Sequence, residues 1–301
     1  MTKYCIASPH KNELWYDHRL YVNLIEALKT LGHQHEAGAV NRIYFLGGPQ
    51  RQFYPKVGTF DTNANNIALI YCHMESLQRL DLFDKVFVPS QFVKDYFEHK
   101  ALELTSGSNY LFKTKNNIDI IRPFSSLKPV SEHRPKYNCD VMFMGTPRVR
   151  PIVEAILNIV EKHQLKMHII GPNWAEYSGN PAAKRYVTER SVRYYQIPQV
   201  VRGAKICLHD HHDSMNQFQT CSHKYIDMVS AGGFVISDKN EDVRNVYKGI
   251  VFEDEQQLES MVLRYLSEDV ERQAIVEKQR SIMSEQTTLM AAKQLAAQFI
   301  S

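Results

Sequence analysis

The sequence alternates strand-like and helix-like segments in each half of the chain. Segments such as residues 17–31 and 152–160 carry apolar side chains at every third or fourth position, which is typical of helices. Between and around them lie short apolar runs at 4–7, 42–46, 67–71, 85–88 and 118–121, and again at 139–145 and 167–171. Strands that alternate with helices favour a parallel, wound sheet, so the sequence predicts one such sheet in each half.

A proline-rich stretch separates the two halves. Three prolines and mixed charges lie between residues 123 and 137, where the alternation breaks. A chain of 301 residues is long enough for two domains with separate cores. We therefore expect a first Rossmann-like domain over residues 1–128, a second over residues 129–280, and a final helical segment over residues 281–301.

Composition and missing motifs exclude several classes of protein. A net charge of +3 with 44% hydrophobic residues fits neither a disordered tail nor a strongly basic nucleic-acid binder. Neither G-x-G-x-x-G nor Walker A occurs, which counts against dinucleotide-dependent dehydrogenases and P-loop NTPases. The sequence has no apolar run near the roughly 20 residues that span a bilayer, and its five dispersed cysteines read as reduced thiols. We expect a cytoplasmic protein, with peripheral attachment at the inner face of the membrane as an alternative.

Residues 221–238 carry the most specific chemical signal. Ser222 opens a helix-like run, Lys224 follows two residues later, and Asp227 comes three residues after that. A hydroxyl and backbone N–H groups at a helix start favour a phosphate, and a lysine adds full charge. The apolar run 234–236 then predicts a buried strand. This pattern predicts a nucleotide-sugar site, and the alternative is an ordinary helix with a glycine cap before a core strand.

The segment resembles the donor-binding helix of GT-B glycosyltransferases of the glycosyl transferases group 1 type, in their CgeB-like, surface-polysaccharide subset. Ser222, His223, Lys224 and Asp227 follow the family order of polar, basic and acidic residues before small-x-Gly. Many members carry two glutamates eight residues apart, and here Asp227 occupies the second position while Gln219 occupies the first. The resemblance implies a ribose contact at Asp227 and puts the acid that contacts the sugar in doubt.

Other motifs of the same family follow in order along most of the chain. Similar sequences lie at residues 15–18, 24–33, 70–75, 83–90, 140–148 and 171–174. The resemblance implies an α/β, GT-B fold: two Rossmann-like domains facing a central cleft, with the C-terminal helix crossing back onto the N-terminal domain. It also implies an N-terminal acceptor domain and a C-terminal domain that binds a UDP- or GDP-linked sugar as donor substrate, with no cofactor.

The resemblance assigns further donor contacts to the second half. Gly145 and Thr146 would border the diphosphate through backbone N–H groups, and Gly171 lies where the next strand ends, at the edge where such sheets bind ligands. Arg148 and Arg150 would add charge-assisted bonds to phosphate. The alternative for either arginine is a solvated surface cation.

Two more segments carry open alternatives. Tyr195 and Ile197 match the place where the family holds the nucleobase, or they belong to a plain loop before a helix. The run at residues 209–213 offers imidazole and carboxylate groups that suit zinc, but it lacks a familiar ligand spacing. By resemblance, His211 would instead contact the donor, and a solvated loop is the third alternative. We expect no metal.

The catalytic candidates lie in the first half. Asp17, His73 and Glu75 lie in predicted loops after strands, and Asp17 is our first choice of general base. Asp17 could equally cap the first helix, and His73 could be a hydrogen-bonded strand-end histidine. The predicted activity is metal-independent transfer of a sugar to an acceptor hydroxyl, as in surface-glycan biosynthesis. The alternatives are a sugar-nucleotide epimerase, a transferase that modifies protein or nucleic acid, and a non-catalytic nucleotide-binding domain.

Overall fold

A computed structural model describes residues 1–12, 16–47, 60–77, 79–105, 117–132 and 134–301. Trp15, which begins the first family motif, lies outside the described residues. Among the described residues, the helices are too short or too polar to cross a membrane. The chain forms two compact units, each with its own sheet.

The elements follow the predicted alternation. In chain order the strands are β1 (Lys3–Ala7), β2 (Gln34–His35), β3 (Asn41–Leu46), β4 (Asn65–Ile70), β5 (Lys85–Val88), β6 (Ile118–Ile120), β7 (Cys139–Met144), β8 (Met167–Ile170), β9 (Val187–Glu189), β10 (Ala204–His209), β11 (Val235–Asp238) and β12 (Ile250–Phe252). The helices are α1 (Tyr16–Thr30), α2 (Gln91–Thr105), α3 (Pro151–His163), α4 (Ile197–Gly203), α5 (Asp213–Gln217), α6 (His223–Ser230), α7 (Glu255–Ser267), α8 (Asp269–Ile282) and α9 (Thr288–Ala296). Short 3-10 turns lie between several of them.

The first unit comprises Met1–Ser126, Asp213–Ser222 and Glu285–Ser301. Its sheet is parallel throughout, in the order β2-β1-β3-β4-β5-β6. On one face, α1 and α9 pack together over the strands through buried side chains: Leu20, Leu24, Leu28, Ala291, Ala292 and Leu295. Burial of a leucine side chain contributes about 1.5–3 kcal/mol, so this helix pair is a large part of the unit's core.

The second unit comprises Leu127–His212 and His223–Ser284. Its sheet is also parallel, in the order β12-β11-β10-β7-β8-β9. Ile152, Ile156 and Val160 recur along one side of α3 and are buried in a single core with the strands. The prediction of one parallel, wound sheet in each half is confirmed.

The path of the chain differs from the expected three segments in one place, and the C-terminal segment follows its expected path. Residues 213–222, which the sequence places within the second domain, belong to the first unit and contain α5. The helical segment at the C-terminus returns to the first unit at Glu285, where Gln286 and Thr288 exchange backbone hydrogen bonds with Ser125. Thr287 then caps α9 by accepting a hydrogen bond from the backbone N–H of Met290.

Candidate functional site

Three of the predicted donor residues lie where neighbouring strands of the second sheet end. Gly145 and Thr146 follow β7, and Gly171 follows β8, whose last residue, Ile170, accepts a hydrogen bond from Gly145 N at 2.9 Å. A Cβ atom at position 171 would lie 1.9 Å from the carbonyl oxygen of Gly145. Glycine at this position is therefore required by the close approach of the two strand ends, whatever ligand binds there.

The two arginines after β7 converge on Asp210. Arg150 is buried, pairs through Nη1 with both carboxylate oxygens of Asp210, and donates from Nε to the carbonyl of Thr146 at 3.1 Å. Arg148 is half-buried and donates from Nη2 to the carbonyl of His211 at 2.6 Å. Burial lowers the pKa of Arg150, and the charge of Asp210 opposes that shift. Arg150 is therefore not a solvated surface cation, which was the alternative to a phosphate contact.

Lys224 brings a third cation to the same strand ends. It lies in the first turn of α6, donates from Nζ to the carbonyl of Met144 at 2.9 Å, and lies 5.6 Å from the ring centre of Phe143. Part of the side chain remains exposed, but loss of solvent around the ammonium group lowers the pKa of Lys224 to about 8. Asp210 partly offsets this shift, while Arg150 adds to it.

His211 is held by a carboxylate at the end of the next strand. Its Nδ1 lies 2.6 Å from Oδ1 of Asp238, and its backbone N–H donates to Oδ2 at 3.1 Å. His209, His211 and Asp238 bring one potential ligand atom each within 4.8 Å of one another, so they could form part of a metal site. Burial lowers the pKa of His209 far below its ordinary value, and the positive charge of Lys224 adds to that shift, so this imidazole is neutral. A nearby positive charge also repels a divalent cation.

In the segment that was expected to hold the nucleobase, Tyr194 rather than Tyr195 contacts a residue of the predicted donor site. Tyr195 is 64% exposed and contacts Arg193, while Ile197 begins α4. The adjacent Tyr194 donates from its hydroxyl to Oδ1 of Asp227 at 2.9 Å. Tyr194 therefore positions the carboxylate that the sequence assigns to the ribose.

The remaining residues of the donor motif are also buried. Ser222 directly precedes α6 and clusters with the first unit. His223 begins the helix in the second unit, and burial lowers its pKa to about 3. His223 is therefore a neutral imidazole at physiological pH, and it adds no charge beside Lys224.

The first unit contains a separate polar cluster around Asp17, at the carboxyl end of β1. Asp17 is the second residue of α1 and is 2% exposed. Its Oδ2 accepts hydrogen bonds from the hydroxyl of Ser8 at 2.7 Å and from the backbone of His10 at 3.0 Å. Its Oδ1 lies 2.8 Å from Nδ1 of His10. Both carboxylate oxygens are thus occupied by the loop that follows β1.

The other two catalytic candidates follow β4. His73 has a left-handed backbone (φ 52°), and its Nδ1 lies 3.4 Å from Oε1 of Glu75. The hydroxyl of Ser214, in α5, donates to Oε2 of Glu75 at 2.5 Å. Partial burial acts to raise the pKa of Glu75, but hydrogen bonds from Ser214 and His73 outweigh it and lower the pKa. A carboxylate with a lowered pKa is a weak base at neutral pH.

Comparison with known proteins decides the fold. Sucrose-phosphate synthase from Thermosynechococcus elongatus is similar over 99% of this chain and 98% of that chain, with a TM-score of 0.63 and 11% identity. The E. coli structure described as trehalose-6-phosphate bound with UDP-2-fluoro glucose is similar over 100% of both chains, with a TM-score of 0.65 and 10% identity. AviGT4, a glycosyltransferase involved in avilamycin A biosynthesis, is similar over 99% of this chain and 97% of that chain, with a TM-score of 0.55 and 13% identity. The chain has the GT-B fold. At sequence identities this low, the similarity shows a shared fold and does not show a shared activity.

The second half of this GT-B protein also matches a family by sequence. The model of a family described as glycosyl transferase-like matches residues 148–297, which include α6 and the cations at the strand ends. Among curated proteins, no sequence matches the chain. The predicted GT-B fold is confirmed, and the family match supports sugar transfer as its general chemistry.

Sequence reasoning did not assign the roles that four residues of these clusters have. Asp210, within the run at residues 209–213, directly follows β10, and Asp238 is the last residue of β11, so a carboxylate at the end of a buried strand was the available signal. His10 lies three residues after β1. Tyr194 had no comparable signal, because its contact with Asp227 joins residues 33 positions apart.

Proposed function

We propose that the protein transfers a sugar from a UDP- or GDP-linked donor to an acceptor hydroxyl, without a metal ion. The observation that carries this proposal is the group of cations at the strand ends of the second sheet. In this group the charge of Lys224 is poorly compensated, because loss of solvent lowers its pKa to about 8. A bound diphosphate would offset that loss by pairing with the ammonium group.

The position of Lys224 supports binding of an anion such as phosphate. It is the second residue of α6, where backbone N–H groups and the helix dipole also favour negative charge. Arg148, half-buried beside it, adds a second cation. When the donor bond breaks, negative charge builds on the leaving diphosphate, and fixed cations in a partly dry site stabilise that charge.

The sugar-nucleotide part of the donor has two candidate contacts in the second unit. Asp227 is buried, and its carboxylate, which accepts a hydrogen bond from Tyr194, is the group that we assign to the ribose hydroxyls. A cavity of about 360 Å³ beside Gly171 is lined by Trp174, Lys184 and Arg190 and has the size of a small-ligand pocket. These features favour a nucleotide with its base and ribose in the second unit.

The acceptor class follows from the resemblance to the surface-polysaccharide subset. We place the reaction in surface-glycan biosynthesis, with a glycan or lipid-linked glycan at the inner face of the membrane as acceptor. The UDP-2-fluoro glucose in the E. coli relative makes UDP-glucose the first donor to try.

The proposal predicts that Lys224→Met weakens binding of UDP and GDP. The variant keeps the aliphatic stem but loses the charge, and a hydrogen bond to a charged group contributes about 1.5–3 kcal/mol, or about 10- to 150-fold in affinity. The matched control is Lys205→Met, which removes an exposed lysine paired with Asp140 at the opposite end of the sheet. Calorimetry on EDTA-treated protein measures both, and transfer is followed as acceptor-dependent release of UDP or GDP.

Each outcome decides a part of the proposal. Unchanged affinity in Lys224→Met would remove the phosphate contact. Binding without acceptor-dependent release of nucleotide would indicate a non-catalytic domain. Loss of release after EDTA treatment, restored by a divalent ion, would reinstate the metal interpretation of His209 and His211.

A further inference from the structure

A cavity of about 360 Å³ lies within the second unit, beside the carboxyl ends of β8 and β9, where parallel sheets bind ligands. Its walls are held by hydrogen bonds. Gly171 donates from its backbone N–H to the carbonyl of Glu189 at 3.0 Å. Trp174 donates from Nε1 to the carbonyl of Gly145 at 2.9 Å, which engages the single donor of the indole. Trp174 and Val187 therefore supply an apolar wall, which suits a flat aromatic ring.

A carboxylate of α3 fixes the loop that continues from Trp174. Glu154, in the first turn of that helix, accepts hydrogen bonds from the backbone N–H of Asn180 at Oε1 (3.0 Å) and at Oε2 (3.2 Å). The hydroxyl of Tyr177 also donates to Oε1 of Glu154. The loop is thus tied to α3 at two points. A wall that is ordered before the ligand arrives loses little conformational entropy on binding.

The charged side chains that line the cavity are both cations. Lys184 and Arg190 are exposed, and neither has an ion-pair partner in the part of the chain that the structure describes. Arg185, next to Lys184, differs because it pairs with Glu161. Asn173 adds an amide whose side chain makes no capping hydrogen bond. The side chains at the cavity thus offer mainly N–H donors, and a ligand that matches them must present acceptors.

Nucleobases differ in the acceptors that they present. Guanine carries O6 and N7 next to each other, and the guanidinium fork of an arginine binds both at once. Uracil carries O4 next to a ring N–H, so an arginine at that edge finds one acceptor and faces a donor. A cavity lined by an unpaired arginine and an unpaired lysine therefore fits guanine better than uracil.

Resting on the proposed function, we propose that this cavity holds the base of the donor and selects guanine over uracil, so that the donor is a GDP-linked sugar. Arg190 donates to O6 and N7, and Lys184 adds a second cation beside the same acceptor-rich edge. The ring of the base lies against the apolar wall. The E. coli relative with UDP-2-fluoro glucose is 10% identical to this chain, and the similarity to it shows the fold alone.

The decisive measurement is the ratio of the affinities for GDP and UDP, determined by calorimetry on the full-length chain. One bidentate arginine contact discriminates between bases by about 5- to 150-fold, so the wild type should prefer GDP by that factor. Arg190→Met keeps the aliphatic stem and loses the fork. It should lower the affinity for GDP by the same factor and leave the affinity for UDP near the wild-type value. The matched control is Arg185→Met, which alters the arginine paired with Glu161 and should leave both affinities unchanged.

Two analogues of GDP identify the edge of the base that is read. 7-Deaza-GDP lacks N7 and should bind the wild type more weakly than GDP does, whereas inosine diphosphate keeps O6 and N7 and should bind as GDP does. Equal affinities of the wild type for GDP and UDP would overturn the proposal and leave the nucleotide site in place. An equal loss of both affinities in Arg190→Met would also overturn it, because that arginine would then contact phosphate. Failure of the proposed function is separate: the wild type would then bind neither nucleotide, and the preference for guanine would fail with it.

Discussion

At the scale of single residues, the environment decides what a predicted side chain does. Lys224 was expected to meet a phosphate, and the structure surrounds its ammonium group with other cations and a backbone carbonyl. Arg150 was assigned the same role, but its guanidinium is committed to Asp210. Residue type and spacing indicated that this region binds an anion. Burial and ion pairing then determine which of its cations can contact the ligand.

The lowered pKa of Lys224 predicts a pH dependence of nucleotide binding. A bound diphosphate stabilises the charged ammonium, so binding raises the pKa from about 8 and takes up a proton at and above that pH. Affinity for UDP or GDP should therefore be constant near pH 7 and fall by up to about tenfold per pH unit above 8, because one proton is linked to binding. Calorimetry between pH 7 and 9.5 in buffers of different ionisation enthalpy measures both the affinity and the proton uptake. Lys224→Met should bind with a flat profile in this range, and a flat profile in the wild type would contradict the assignment.

At the scale of elements, the clearest result concerns the C-terminal helix. The sequence predicts a helical segment over residues 281–301, and the structure divides this segment between the end of α8 and α9. The division comes at Thr287, whose hydroxyl caps α9, and at Ser125, which pairs with the backbone on either side of Thr287. Thr287 is a good capping residue, and this is a local signal for a helix start. Ser125, which pairs with the backbone at this point, lies about 160 residues earlier in the chain.

Removal of this cap should destabilise the first unit. Thr287→Ala loses the hydrogen bond from the backbone N–H of Met290, at a cost of about 0.5–2 kcal/mol. Thr287→Ser keeps a capping hydroxyl and should retain most of the stability. Urea unfolding followed by circular dichroism measures the free energies of unfolding. Equal losses in the two variants would mean that the threonine methyl group, rather than the cap, carries the effect.

At the scale of the whole molecule, neither unit is a continuous stretch of chain. The first unit takes its core from residues near both termini, since α9 packs on α1 and Asn41 binds the backbone of Ile300. It also includes residues 213–222, whose Ser214 binds Glu75. The nucleotide candidates His223, Lys224 and Asp227 belong to the second unit. A domain boundary drawn once along the sequence therefore does not describe the folded units.

A chain that ends at Ser284 should lose stability selectively in its first unit. The truncation removes α9 and uncovers the side of α1 that carries Leu20, Leu24 and Leu28. We expect binding of a hydrophobic dye and a lower urea midpoint by circular dichroism. Trp174, buried in the second unit, supplies a separate fluorescence signal in a Trp15→Phe background and should keep a midpoint close to that of the full-length chain. An unchanged circular dichroism transition would show that α9 is dispensable for the core.

The sequence by itself determined the two parallel sheets, and it predicted the phosphate-binding chemistry of α6. Apolar periodicity is a local property, and a hydroxyl, a lysine and an aspartate at fixed spacing share one helix wherever that helix packs. The tertiary structure alone decided which arginine is buried, that Tyr194 orients Asp227, and that Asp17 holds His10. It also decided that residues 213–222 join the first unit. These outcomes depend on contacts between residues far apart in the chain and on the solvent that each side chain loses, and neither is encoded in local spacing.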